Sequence, residues 1–251
     1  MKFWIVVLGR IKMKYEGKNA CREALKTEKT IDKLLVQNGI EDREIVDLAK
    51  KRGVKIQFCN KQVLDEQSTT KKHQRMILFT SDFVYSTVEQ IVDEARSKNS
   101  ELLLLILDGI EDPHNLGSIL RVAECAGVSG VIIPKHRAVS VNETVAKVSA
   151  GAVTRVKVAR VTNINDEIKR LKEMGVFVFV ADMDGDSMYK TNLTGDIALV
   201  VGSEGFGVSE LTRKLADGII SIPMFGKINS LNASVSAGII TYEAIRQRKG
   251  F

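Results

Sequence analysis

From residue 102 onward the chain repeats one pattern six times: a short run of apolar residues, a polar loop, and usually a stretch with helical spacing. The runs are Leu102 to Leu107, Val131 to Ile133, Val156 to Val158, Val176 to Ala181, Ala198 to Val201 and Gly218 to Ile222. Strands that are apolar throughout, rather than alternating, are buried on both faces, and a helix between successive strands makes them parallel. A largely parallel, doubly wound α/β sheet with helices on both faces is the expected fold.

Three strand–loop–helix blocks carry polar residues beyond what a connector requires. The first, Leu102 to Gly127, reads LLLLILDGIEDPHNLGSILRVAECAG. It places Asn115 at the end of its loop and Arg121 near the start of the next helix, where a cap and a solvent-facing cation would be the plain explanations. The second, Ala198 to Asp217, spaces Gly202, Gly205 and Gly207 as G-x-x-G-x-G. That is neither the G-x-G-x-x-G of a dinucleotide fold nor a phosphate loop, since no G-K-[ST] follows. A glycine at a strand end still lets backbone approach a ligand closely. Glu204 would set a carboxylate there, or oppose the dipole of the following helix. The third, Ser221 to Gly238, reads SIPMFGKINSLNASVSAG. Its small residues crowd a helix start, permitting close approach, and its Ser and Asn side chains can satisfy unpaired N–H groups.

In order and wording these blocks resemble the three motifs of the SpoU (TrmH-type) branch of the SPOUT RNA methyltransferases. The likeness combines Asn115 and Arg121, Glu204, and Ser230-Leu231-Asn232. The resemblance implies a C-terminal domain with a deep trefoil knot, a rare exception to unknotted topology, and a homodimer with residues of both subunits at the active site. It implies S-adenosylmethionine as cofactor, contacted at Gly202, Ile222 and Leu231. Catalytic or substrate roles fall to Arg121, Asn115, Glu204, Ser230 and Asn232. The implied reaction methylates an RNA ribose 2′-hydroxyl and needs no metal.

The first third of the chain differs in charge. Residues 1 to 75 hold 18 Lys or Arg and 10 Asp or Glu, against 19 and 21 in the remainder, so the whole positive excess lies at the front. Such a split fits a polyanion-binding module joined to a domain with another task, although solvated Lys-rich helices would give the same composition. Helical spacing at Ala20, Ala24 and Leu25 and over Ile45 to Arg52, with strands at Ile31 to Gln37, Val54 to Phe58 and Met76 to Phe79, makes this a small α/β domain. It resembles the substrate-binding domain of many SpoU enzymes through Gly17-Lys18-Asn19-Ala20, Glu23-Ala24-Leu25 and His73-Gln74. Arg75-Met76 stands where the family commonly has Gly-Val. The expected division is an extension at 1–14, the small RNA-binding domain at 15–95, a linker at 96–101 and the methyltransferase domain at 102–251.

Three scattered cysteines without a C-x-x-C pair, and three histidines without ligand spacing, favour a reducing compartment and give no metal site. The longest apolar runs fall short of the ~18 to 20 residues of a membrane helix. Phe3 to Leu8 is shorter than a signal-peptide core, so a cytoplasmic protein is expected. Within the implied class, 23S rRNA is favoured because the basic small domain is similar to that of rRNA-directed enzymes, with tRNA the rival. Antibiotic-resistance methyltransferases share the layout. A non-catalytic RNA-binding or ribosome-assembly protein would have no need of all five polar site residues. An unrelated nucleotide-binding α/β enzyme lacks its phosphate fingerprint here.

Overall fold

The computed structural model describes residues 13–26, 30–39, 42–68, 71–81, 83–203, 205, 207–227 and 230–250. The proposed N-terminal extension, up to residue 12, and Glu204 lie outside these. Two compact units emerge, one comprising the residues up to Val84 with 140–143, the other the remainder from Tyr85.

In the smaller unit a four-stranded sheet runs in the order β1 (Met13–Glu16), β4 (Met76–Ser81), β2 (Thr30–Gln37), β3 (Lys55–Cys59). β4 is antiparallel to both neighbours and β2 is parallel to β3. Side chains alternate across a strand, so β2 feeds two cores. Leu34 and Val36 meet Cys21, Leu25, Ile45 and Ala49 of helices α1 (Lys18–Lys26) and α2 (Arg43–Lys51), while Leu35 joins Leu64 of α3 (Lys61–Gln67) and Phe79. His73 is buried: its Nε2 lies 2.9 Å from Asp65 Oδ1, and its Nδ1 accepts the Arg75 N–H at 3.1 Å. The ring thereby holds a turn in which Lys71, Gln74 and Arg75 all adopt positive φ.

The larger unit is a six-stranded, wholly parallel sheet. Its strands are β5 (Leu103–Asp108), β6 (Gly130–Pro134), β7 (Val158–Val161), β8 (Phe177–Ser187), β9 (Ile197–Gly202) and β10 (Gly218–Ser221), in the order β10-β8-β9-β5-β6-β7. Helix α4 (Val88–Ser97) and α7 (Ile164–Glu173) cover one face, with Ile91, Val92 and Ile168 packed among Leu104, Ile106, Ile132 and Val178. Helix α5 (Pro113–Ala126) packs against α9 (Ala233–Lys249), which also lies on β9. The remaining helices are α6 (Glu143–Val148) and α8 (Glu210–Leu215).

Three expectations are corrected. Residues 88–95 do not belong to the small domain, nor 96–101 to a linker: α4 buries Val88, Ile91, Val92 and Ala95 in the core of the larger unit. Its end is closed by Lys98 N–H to Glu94 O and Ser100 N–H to Ala95 O. Burying an Ile or Val side chain contributes about 1.5–3 kcal/mol, and helical periodicity reports an apolar stripe without naming the sheet it covers. The expected boundary at residue 14 falls inside β1, whose Met13 to Glu16 pair with Thr80 to Ile77. The strand expected at Val156 to Val158 begins instead at Val158, after a 3₁₀ turn at Ala152–Thr154.

Candidate active site

In the larger sheet, the chain runs from β5 outward to β6 and β7, then returns to the other side through β8, β9 and β10. The carboxyl ends of β5 and β9, where Asp108 pairs with Gly202, therefore mark the point at which strand order reverses. Open α/β sheets bind ligands at such switch points. A cavity of about 550 Å³ opens there, lined by residues Asp108 to Asp112, Asn115, Arg137, Ser203, Gly205, Gly207 and Ser209.

The local sequence explains its walls. Gly109 has φ of 79° and turns the chain out of β5. Asp112 caps α5 by accepting the His114 N–H at 2.9 Å, with Pro113 in the first turn. The helix thus starts earlier than expected, and Asn115 sits inside its first turn rather than capping it. Asn115 is 9% exposed, and its Oδ1 accepts a hydrogen bond from Asn232 Nδ2 at 2.9 Å. Asn232 in turn caps α9: its Oδ1 accepts from Ser234 N–H at 2.9 Å, Ser234 Oγ at 2.6 Å and Val235 N–H at 3.3 Å. One amide therefore spends its acceptor on a helix start and its donor on the first block, which fixes its orientation. Two helix N-termini, each with partial positive charge, converge on the bond.

On the opposite wall the turn after β9 closes tightly. Ser203 and Gly207 form an isolated bridge, with Gly207 N–H to Ser203 O at 2.9 Å. A Cβ on Gly202 would lie 2.2 Å from the Gly207 carbonyl carbon, so only glycine fits. Gly205 and Gly207 face open space and present bare backbone to the cavity. Such groups can donate to and accept from a ligand without a side chain intervening. The Asp108 carboxylate accepts the Ser209 N–H at 3.4 Å, tying the two strand ends together.

Among the site residues expected from sequence, Asn115 and Asn232 are brought into contact and Gly202 stands at the end of the strand beside β5. Ile222 and Leu231 are half-buried and Ser230 is exposed; none of the three lines the cavity. Arg121 is exposed in the middle of α5, six residues beyond Asn115 and so on another face of the helix, and also does not line it. Asp112, Arg137, Ser203 and Ser209 join the site without being expected there. An Asp-Pro pair before a helical stretch signals the first; the polar run around Arg137 has no periodicity that would reveal it.

A wholly parallel sheet with a glycine-lined cleft at its central switch point defines a doubly wound α/β protein with a ligand-sized site at the position where such sheets bind ligands. Residues 102–242 match the SpoU rRNA methylase family, and residues 15–86 match the RNA 2′-O ribose methyltransferase substrate-binding family. The chain belongs to the SpoU (TrmH-type) family of RNA methyltransferases. It is 41% identical over 237 residues to YacO of Bacillus subtilis (strain 168), assigned to the TrmH family of tRNA/rRNA methyltransferases, covering 92% of this chain and 94% of that one. A Staphylococcus aureus (strain COL) protein assigned to the same family is 43% identical, covering 92% and 95%. Among solved structures, the SpoU methyltransferase AviRb from Streptomyces viridochromogenes, in complex with AdoMet, aligns with a TM-score of 0.59 at 24% identity, covering 94% of this chain and 90% of that chain. The A. aeolicus TrmH/SpoU tRNA modifying enzyme aligns at 0.56 and 29% identity, covering 63% and 85%.

Proposed function

We propose that the protein transfers a methyl group from S-adenosylmethionine to a ribose 2′-hydroxyl of RNA, with 23S rRNA as the substrate. The observation that carries this is the Asn115–Asn232 hydrogen bond at the cavity, which joins the first and third family blocks across 117 residues. Family membership and the matched substrate-binding unit support RNA as the acceptor. AviRb, which shares the fold, was solved with AdoMet.

The bare backbone of Gly205 and Gly207, which line the cleft beyond the end of β9, fits a ligand recognised through amides and carbonyls; Gly202, Ile222 and Leu231 would complete its contacts. When bound, the cofactor supplies an activated methyl whose departure leaves a neutral thioether, so no metal is needed. The protein's part is to orient the hydroxyl in line and to manage its proton as the C–O bond forms. Arg121 acts on the developing alkoxide, by stabilising its charge or by taking up the hydroxyl proton. Asn115 and Asn232 hold the two helix starts against which the ribose sits, with Glu204 and Ser230 as further polar contacts. Because Arg121 is exposed on the single chain, the reading includes a homodimer that brings it to a cleft; Val235 and Tyr242 of α9, both about half exposed, offer an apolar surface for it. The reading also includes the trefoil knot of the family fold.

Labelled methyl transfer to separate pools of unmodified 23S rRNA and unmodified tRNA, followed by nucleoside analysis, tests the proposal. A 2′-O-methylnucleoside in rRNA is expected. The same product in tRNA alone would move the assignment to tRNA, and absence of cofactor binding would leave a non-catalytic RNA-binding protein.

A further inference from the structure

The cavity has one wall that lies outside all three family blocks. Arg137 lies three residues beyond the end of β6, at the same carboxyl edge of the sheet as Asp108 and Gly202. It is exposed and is the only cation among the described residues lining the cavity, which also bears the carboxylates of Asp108, Glu111 and Asp112. Two of those acids are engaged by backbone N–H groups, of Ser209 and His114. Among the described residues the Arg137 guanidinium makes no ion pair, so its charge is not spent on them.

The backbone there is unusual. Arg137 has φ of 55°, a left-handed conformation that disfavours any residue with a Cβ. The loop is pinned from both sides: Lys135 N–H bonds Val161 O at 2.8 Å, and Val139 N–H bonds Ile110 O at 2.9 Å. The Arg137 carbonyl and the Ser203 side chain both approach within 4 Å of where a Cβ on Gly109 would stand. The loops after β5, β6 and β9 therefore meet around one glycine, and their packing holds Arg137 over the cavity. A glycine would satisfy this backbone at lower cost, and it would carry no charge.

A nucleic-acid strand entering this cavity meets three carboxylates, which repel its phosphates. A planar guanidinium can grip a phosphate with two parallel hydrogen bonds. We infer that Arg137 is an RNA-binding residue of the active site, holding a backbone phosphate of the target strand beside the ribose to be methylated. This rests on the RNA methyl-transfer reading above and adds to it a specific anchor.

The test compares the wild-type chain with Arg137→Gly, which removes the guanidinium while accepting the positive φ, and with Arg137→Lys, which keeps the charge without the fork. Binding of an unmodified 23S rRNA transcript is measured across a range of salt concentrations, alongside calorimetric binding of S-adenosylmethionine. In Arg137→Gly, RNA affinity is expected to fall about tenfold, and the slope of log K against log salt to flatten by roughly 0.7 to 0.9, the loss of one phosphate contact. Cofactor affinity should not change. Arg137→Lys should recover the slope but not the full affinity. An unchanged slope in Arg137→Gly overturns the inference, as does a loss confined to cofactor binding. If the wild type methylates neither rRNA nor tRNA yet Arg137→Gly still flattens the slope, the reaction is wrong and the RNA contact stands.

Discussion

Helix α9 touches both ends of the central strands, in opposite ways. At the carboxyl edge its first turn is capped by the amide of Asn232, which is exposed to solvent and shared with Asn115. At the amino edge its last turn is clasped by Arg248, whose side chain is only 8% exposed. That guanidinium donates to Gly195 O at 2.5 Å, Leu102 O at 3.1 Å and Leu193 O at 3.4 Å, carbonyls that precede β9 and β5. Glu243 and Gln247 reinforce this end: Gln247 Nε2 donates to Thr191 O at 3.0 Å and to Glu243 Oε1 at 2.8 Å, while its Oε1 accepts the Leu193 N–H at 2.8 Å. One end of the helix is clasped by the side chains of Arg248 and Gln247; the other rests on the Asn232 cap and its bond to Asn115 beside the cleft.

Substitutions at the two ends should therefore separate stability from activity. If Arg121 of α5 acts as proposed, Arg121→Lys should lose roughly 10²- to 10³-fold in turnover, ~2.7–4 kcal/mol of transition-state stabilisation, while melting temperature and cofactor binding hold. Retained turnover would remove Arg121 from the chemistry. Arg248→Ala takes a donor from the Gly195 and Leu193 carbonyls and one of two donors from the Leu102 carbonyl, which keeps the Ile197 N–H; it should destabilise by about 2–3 kcal/mol, lowering Tm by roughly 5 to 10 °C in calorimetry. Methyl transfer measured well below Tm should change little. Asn232 offers a sharper cut. Asn232→Ala should lose about 1 kcal/mol with the cap along with most activity. Asn232→Asp keeps the capping oxygen but sets a carboxylate oxygen against Asn115 Oδ1, so it should keep Tm and still lose activity. If Asn232→Asp retains full activity, the amide bond between the blocks has no role in the site.

The smallest effect concerns pH. Hydrogen bonding from Arg246 holds the Glu243 carboxyl below its ordinary value of 4.5. A depressed carboxylate contributes stability that is fully present above its unfolded pKa and is lost as pH falls through the folded one. Glu243→Gln should therefore narrow the stability difference between pH 6 and pH 3 by an amount on the order of 0.5 kcal/mol, the value of a pair with one exposed partner. An unchanged acid profile in thermal melts would show that Arg246 does not act on this carboxyl.

The contrast between the two helix ends also separates what the amino-acid order reveals from what it conceals. Buried parallel strands announce themselves by unbroken apolar runs, and all six are legible, five to within a few residues; β8 runs on to Ser187, six residues past the expected end, because its last stretch is polar. Asn115 and Asn232 stand out because they fall in polar stretches at helix starts that follow buried strands. Their mutual bond does not, since nothing local ties residues 117 positions apart. Arg248 is invisible for the opposite reason: a basic residue near the end of a helix reads as solvated, and only the packed sheet shows its donors turned inward to carbonyls. The helix Val88–Ser97 has the expected type and an unexpected neighbour, because an amphipathic stripe does not identify its partner.

Strand order carries a consequence for how the molecule assembles. β9 lies between β5 and β8, both of which precede it in the chain. Neither earlier strand can complete its hydrogen bonding until β9 slides into the gap, so the sheet cannot grow by adding each new strand to an outer edge. Two apolar edges must stay open meanwhile, a condition that slows folding and invites pairing with other chains. Refolding from denaturant should accordingly show a slow phase whose amplitude gives way to aggregation as protein concentration rises.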